Sequence, residues 1–142
     1  MNLDSPAAGD DELYLRIPGV ANVSWDRESE SVLVEWLGWA NSAEYVALLE
    51  AGLRALKVHR GQRWIADGRS KRAIIKADQE WANQDWFPRA HTAGLRRFAV
   101  VNAHSKVARL NSDEILSRVD IRGLEAASFE TLEEARRWIS RA

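Results

Sequence analysis

Residues 63–101 read RWIADGRSKRAIIKADQEWANQDWFPRAHTAGLRRFAVV, and this stretch decides the fold. It contains two short apolar runs, one at 64–66 and one at 98–101. About 30 residues of helical character lie between them, and a crossover between parallel strands needs at least about a dozen residues. We therefore predict a βαβ unit in which the two runs are parallel neighbours in one sheet.

The segments on both sides of this unit extend it into a larger sheet. Strand-like patterns occupy 13–17, 20–25 and 31–39, and a last, weak strand is predicted at 124–129. The resulting order of elements is β-β-β-α-β-α-β-α-β-α. This order predicts an α/β fold, a mixed and mainly parallel sheet with N-terminal antiparallel strands and helices packed on it.

Short-range signals mark the helix starts. Asn41 precedes Glu44 by three residues, which is the spacing of a capping box in which each residue's side chain accepts the other's amide. The same spacing occurs in two further pairs, Asn111 with Glu114 and Thr131 with Glu134. We expect a helix to begin at each of the three pairs.

Glycine and proline mark where the first two helices end or bend. Gly61 is predicted to supply the left-handed residue that ends the first helix, and Gly94 closes the second, which spans 77–93. Pro88 cannot donate a backbone hydrogen bond, so we expect a kink or a fresh helical start close to Trp86.

The composition limits the class of protein. We predict that residues 1–11 are a disordered leader and that residues 12–142 form a single domain. The absence of cysteine excludes a disulfide framework and thiolate chemistry. No signal peptide is recognisable, and no apolar run approaches the roughly 20 residues that cross a bilayer. We therefore expect a cytoplasmic protein with no membrane span.

Charge is unevenly distributed along the chain. Residues 54–111 carry thirteen basic and four acidic residues, although the net charge of the whole chain is −1. Within this block, residues 54–76 hold eight basic side chains and Asp67 alone as an acid. The block either attracts an anionic partner or is a solvated face whose charges are balanced by the acidic ends in the fold.

The candidate site lies where the first parallel strand of the unit ends. Ligands of open α/β sheets bind outside the carboxyl ends of the strands, and the basic loop at 68–76 should lie there. The cations of this loop and the backbone amides at the start of the next helix could hold an anion. An apolar molecule with an anionic head would in addition contact the neighbouring tryptophans. The candidate residues are Asp67, Arg69, Ser70, Lys71, Arg72, Asp78, Trp81 and Trp86.

Catalysis and metal binding have little support in the sequence. Asp67 and Asp78 could form a carboxylate pair, although capping a helix and bonding loop amides are simpler roles. The three histidines lack the spacing of a metal site, and no nucleotide-binding motif is present. We therefore expect no cofactor, no metal and no enzymatic activity. Nucleic-acid binding is not expected either, because the tryptophans lie within apolar patterns.

Several short motifs together resemble the bacterial STAS/SEC14-like, or SpoIIAA-like, small domain proteins, a largely uncharacterised family. The resemblance covers most of the chain after Glu12. It is carried by VEWLGW at 34–39, EY at 44–45, WIAD at 64–67, DQEW at 78–81, WFP at 86–88, AGL at 93–95, Phe129 and EEARRW at 133–138. It implies the SpoIIAA-like fold and a non-catalytic role. The phosphorylatable Asp-Ser-Ser/Thr-Gly motif of anti-sigma-factor antagonists is replaced here by Asp67-Gly68-Arg69-Ser70, so a phosphorylation switch is not predicted.

The sequence therefore favours a non-enzymatic binding module that meets a protein partner through the edge formed by the 68–76 loop and the following helix. The alternative is a carrier or sensor of a small amphipathic or anionic molecule in a tryptophan-lined pocket. An exposed edge strand at 13–17 could also pair with a second copy of the chain and form a homodimer.

Overall fold

The computed structural model describes residues 12–70, 74–102, 110 and 121–141. The strands are β1 (Glu12–Ile17), β2 (Ala21–Asp26), β3 (Ser31–Trp36), β4 (Arg63–Asp67), β5 (Arg97–Val101) and β6 (Glu125–Phe129). The helices are α1 (Ser42–Val58), α2 (Lys76–Trp81), α3 (Phe87–Ala93) and α4 (Leu132–Ile139), and a π-helical turn (Ala82–Trp86) joins α2 to α3. The predicted leader and the helix predicted from Asn111 lie outside the described residues.

The six strands form one sheet in the order β1-β2-β3-β4-β5-β6. The first three strands pair antiparallel, and β3 to β6 are parallel neighbours. Trp64 of β4 pairs in register with Phe98 of β5, and the two strands run in the same direction. The predicted βαβ unit and the mixed sheet with antiparallel N-terminal strands are therefore confirmed.

Side chains alternate between the two faces of the sheet, and different helices cover each face. On the first face, Val34 and Trp64 belong to the larger core, which also contains buried residues of α1 and α3. On the second face, Ile65 and Val101 pack with Ile139 of α4 in a smaller core. The parallel half of the sheet is thus covered on both sides, which explains the nearly continuous apolar sequence of β4 and β5.

Helix α1 begins as predicted and ends differently. The Glu44 amide donates to Asn41 Oδ1 at 2.8 Å, and the Asn41 amide donates to Glu44 Oε1 at 3.0 Å, which confirms the capping box. The prediction for Gly61 was wrong, because the left-handed residue is Arg60, with a φ of 51°. Gly61 is needed for a different reason, since a Cβ there would lie 2.9 Å from atoms of the Trp25 ring.

The second predicted helix is present from residue 76 to residue 93 and carries a local irregularity before Pro88. The Phe87 amide donates to the Ala82 carbonyl, five residues earlier, and closes the π-helical turn. The widening occurs where the proline interrupts the regular series of hydrogen bonds, as the sequence suggested. Gly94, with a φ of 126°, ends the helix as predicted.

Strand β3 is shorter than predicted, because it ends at Trp36 and not at Trp39. The amides of residues 37 and 38 both donate to the Val20 carbonyl, at 2.8 and 3.2 Å, and this turns the chain out of the sheet. A Cβ on Gly38 would lie 2.6 Å from the Gly19 carbonyl oxygen, so the turn requires glycine. As a result, Trp39 lies in the loop that leads to α1.

Candidate functional site

The candidate site is the edge of the sheet where the parallel strands end, which we call the carboxyl edge. It is defined by the loop 37–41 after β3, the described residues 68–70 and 74–75 after β4, and Asn102 after β5. The Gly68 amide donates to the Val101 carbonyl at 3.0 Å, so the loop after β4 starts in contact with the end of β5. The parallel direction of these strands is what brings the segments to the same edge.

Asp67 and Arg69 form a two-point ion pair at this edge. Arg69 donates from Nε to Asp67 Oδ1 at 2.9 Å and from Nη2 to Oδ2 at 2.7 Å. The Asp67 carboxylate is buried, and the hydrogen bonds to it raise the pKa of Arg69. Both charges are therefore largely satisfied within the protein, and Arg69 is less available to an anion than the sequence suggested.

Asp78, predicted as a site residue, lies in the first turn of α2 and is buried. It faces Tyr45 of α1, whose pKa is raised first by burial and second by the nearby Asp78 charge. Asp67 alternates with Ala66 and so projects to the second face, whereas Tyr45 belongs to the core of the first face. The structure does not bring Asp67 and Asp78 together as a carboxylate pair.

Trp81 ends a short series of ring contacts that leads to the carboxyl edge. The ring of Tyr45 lies 5.7 Å from the ring of Trp36 and 6.2 Å from the ring of Trp81, the latter in an edge-on arrangement. Trp81 is partly buried against the larger core. It is thus the one of the two predicted tryptophans that approaches the surface.

Trp86 lies apart from Trp81, deep in the core. It is 1% exposed, its ring packs edge-on against Trp64 at 4.8 Å, and its Nε1 donates to the Leu49 carbonyl at 3.1 Å. The indole is fully satisfied there and joins the second helix to α1. Of the remaining predicted residues, Ser70 is exposed. Lys71 and Arg72 lie outside the described residues.

Sequence reasoning missed three large apolar side chains that are exposed at this edge. Leu37, Trp39 and Ile75 are 43%, 53% and 48% exposed. The sequence pattern places Leu37 and Trp39 in the third strand, and the signal that they leave it is Gly38, which lies between them. Ile75 precedes α2 as its N-cap residue, a position that carries no capping side chain.

Within the described part of the chain, no group of three or more acidic or histidine side chains has the arrangement of a metal site. Every helix in that part is too short or too polar to cross a membrane.

The chain matches no protein-family model, no curated protein and no solved structure.

Proposed function

We propose that the protein is a non-enzymatic binding module of SpoIIAA-like fold, and that its carboxyl edge docks a protein partner. One observation carries the proposal: Leu37, Trp39 and Ile75 are each exposed in the loops that follow the neighbouring strands β3 and β4, at the edge where open α/β sheets place their ligands. Isolated exposed apolar residues are ordinary, but several at one functional edge mark an interaction site. Tryptophan is also the residue type most enriched among those that dominate binding energy.

The polar surroundings suit a protein surface better than a charged ligand. Arg69 is already paired with the buried Asp67. The described part of this edge therefore presents apolar side chains next to an ion pair whose two charges neutralise each other. Exposed Ser70 adds a neutral hydrogen-bonding group beside this ion pair. An apolar centre with a polar rim is the usual anatomy of a protein interface.

A photo-crosslinking experiment in the native host tests the proposal. A photoreactive phenylalanine analogue would replace Trp39 in one variant and Val58 in a matched control. Val58 is 67% exposed but lies at the end of α1, away from the carboxyl edge. We expect one defined protein adduct from position 39 alone, and its loss when Ile75→Asp is added. Equal adducts from both positions, or none from position 39, would count against the proposal.

The alternative, a carrier of a small amphipathic molecule, is favoured by one observation. Trp81, which continues the ring contacts of the buried Trp36 and Tyr45, is only partly buried and presents an indole that such a molecule would contact. Native mass spectrometry of the purified protein separates the two functions. A retained small molecule that is lost in Trp81→Ala supports the carrier, and a clean apo mass supports the partner-binding module.

A further inference from the structure

A cleft lies at the edge of the sheet opposite the carboxyl edge, where α1 ends and β4 begins. Its volume is about 370 Å³, which falls within the range of small-molecule pockets. It is lined by Trp25, Glu30, His59, Arg60, Gly61, Gln62 and Arg63. The proposed partner surface is at the carboxyl edge, so the two sites do not share residues.

The aromatic wall of this cleft is held firmly. The His59 ring stacks on the Trp25 ring at 4.2 Å with an angle of 3° between their planes. His59 Nε2 also lies 2.8 Å from Glu12 Oε2, which ties the wall to β1. Gly61 leaves room for the indole, because any Cβ there would meet the Trp25 ring at 2.9 Å.

Two residues that line the cleft adopt a backbone conformation that their side chains disfavour. Glu30, with a φ of 50°, and Arg60, with a φ of 51°, are the two non-glycine residues at positive φ in the described part of the chain. Glycine or asparagine adopts this conformation at lower cost. Non-glycine residues in this region cluster at functional sites, so the presence of Arg60 at this position of the cleft points to a role for its side chain there.

The charges of the cleft favour an anion. The Arg60 guanidinium makes no hydrogen bond or ion pair within the described residues, and Arg60 is exposed. Arg63 donates from Nη1 to the Ser29 carbonyl at 3.0 Å, which leaves its other donors available. The one carboxylate of the lining, Glu30, is mostly exposed and approaches Arg63 no closer than 4.0 Å.

We propose that this cleft binds an oxyanion, the phosphate or carboxylate group of a small molecule, between Arg60 and Arg63. Guanidinium groups present paired donors that match the oxygen atoms of phosphate and carboxylate. The partly exposed His59 ring, which stacks on the buried Trp25 ring, gives the rest of such a molecule a flat surface to contact.

The test is a titration of the full chain followed by NMR, with the Trp25 indole and the Gly61 amide as local reporters. Inorganic phosphate and succinate are added separately, each against sodium chloride at equal ionic strength. We expect saturable shifts at both reporters with at least one of the two anions, and the preferred anion identifies the headgroup. Shifts that match those produced by chloride overturn the proposal.

Three variants make the test specific to the cleft. Arg60→Asn removes the charge but keeps a residue that tolerates the left-handed backbone, and it should lower the affinity about tenfold. Glu30→Gln removes the opposing carboxylate and should raise the affinity about threefold. Arg54→Asn, at an exposed position of α1, is the matched control and should leave the affinity unchanged. Equal affinities in the Arg60 and Arg54 variants would overturn the assignment.

Discussion

Arg136 of the C-terminal helix forms a two-point contact with Asp26 at the end of β2, from Nε to Oδ2 at 3.2 Å and from Nη2 to Oδ1 at 3.3 Å. Asp26 is 2% exposed and also accepts a hydrogen bond from Ser29 Oγ. The contact joins two elements separated by 110 residues in the chain. It fixes α4 to the antiparallel half of the sheet, although the apolar contacts of α4 lie over the parallel half.

Arg136→Ala should therefore lower the free energy of unfolding by about 3 kcal/mol, because it leaves a buried carboxylate without its cation. Urea denaturation followed by tryptophan fluorescence measures the loss. Arg137→Ala, on the exposed side of the same helix, is the control and should change the value by no more than about 0.5 kcal/mol. Similar stability of the two variants would mean that the Asp26 contact contributes nothing.

Contacts of this kind mark the limit of what the sequence could predict. The start of α1 was predictable because a capping box needs only Asn41 and Glu44, which lie three residues apart in the same chain segment. The parallel pairing of β4 and β5 was predictable from the length of the crossover between them. Arg136 and Asp26 carry no such local signal, because their partnership depends on how α4 lies across the sheet.

The candidate site was predictable in position but not in composition. The end of β4 lies at the carboxyl edge as expected, since strand direction follows from the crossover. The basic block, however, divides between two edges, with Arg69 at the carboxyl edge and Arg60 and Arg63 at the opposite edge. The burial of Trp86 depends on the Leu49 carbonyl, and no sequence pattern pairs these two residues.

Gly52 is required inside α1 by the close approach of Trp64. A Cβ at this position would lie 2.0 Å from the nearest atom of the Trp64 ring, which is 1% exposed. Gly52→Ala should therefore lower the stability by about 2 kcal/mol or more, although alanine is the better helix former. Thermal or urea denaturation gives the value.

A double-mutant cycle tests the cause of this loss. Trp64→Phe shortens the ring on the side that faces Gly52. In this variant Gly52→Ala should therefore lower the free energy of unfolding by at least about 1 kcal/mol less than it does in the natural chain. Additive effects would show that the loss arises elsewhere.

Tyr45 should make the protein sensitive to alkaline pH. Burial, and then the Asp78 charge, raise the pKa of Tyr45 above its usual value of 10.0, so the fold favours the neutral phenol. The neutral Tyr45 phenol contributes its full stabilisation at pH values below the pKa that Tyr45 has in the unfolded chain. This contribution is lost as the pH rises above that value. Each pH unit above about 10 should then lower the free energy of unfolding by up to about 1.4 kcal/mol.

Tyr45→Phe should flatten this alkaline slope, whatever its effect at neutral pH. Urea denaturation between about pH 9 and 11 measures the slope in each protein. Tyr14 provides the comparison, because its pKa is also raised, by burial and by Glu12, but it is only partly buried. A slope that is unchanged in Tyr45→Phe and flattened in Tyr14→Phe would contradict the role assigned to Tyr45.

Arg69→Lys separates stability from partner binding at the carboxyl edge. A lysine ammonium cannot reproduce the two parallel hydrogen bonds to Asp67, so this variant should be less stable by about 1 kcal/mol. Lys76→Ala, at an exposed cation nearby in sequence, should lie within about 0.5 kcal/mol of the natural chain. If the exposed apolar side chains carry the docking, the crosslink from position 39 should persist in Arg69→Lys under folding conditions. Loss of that adduct with the fold intact would instead mean that the Arg69 guanidinium itself contacts the partner, and that the apolar group is only part of the interface.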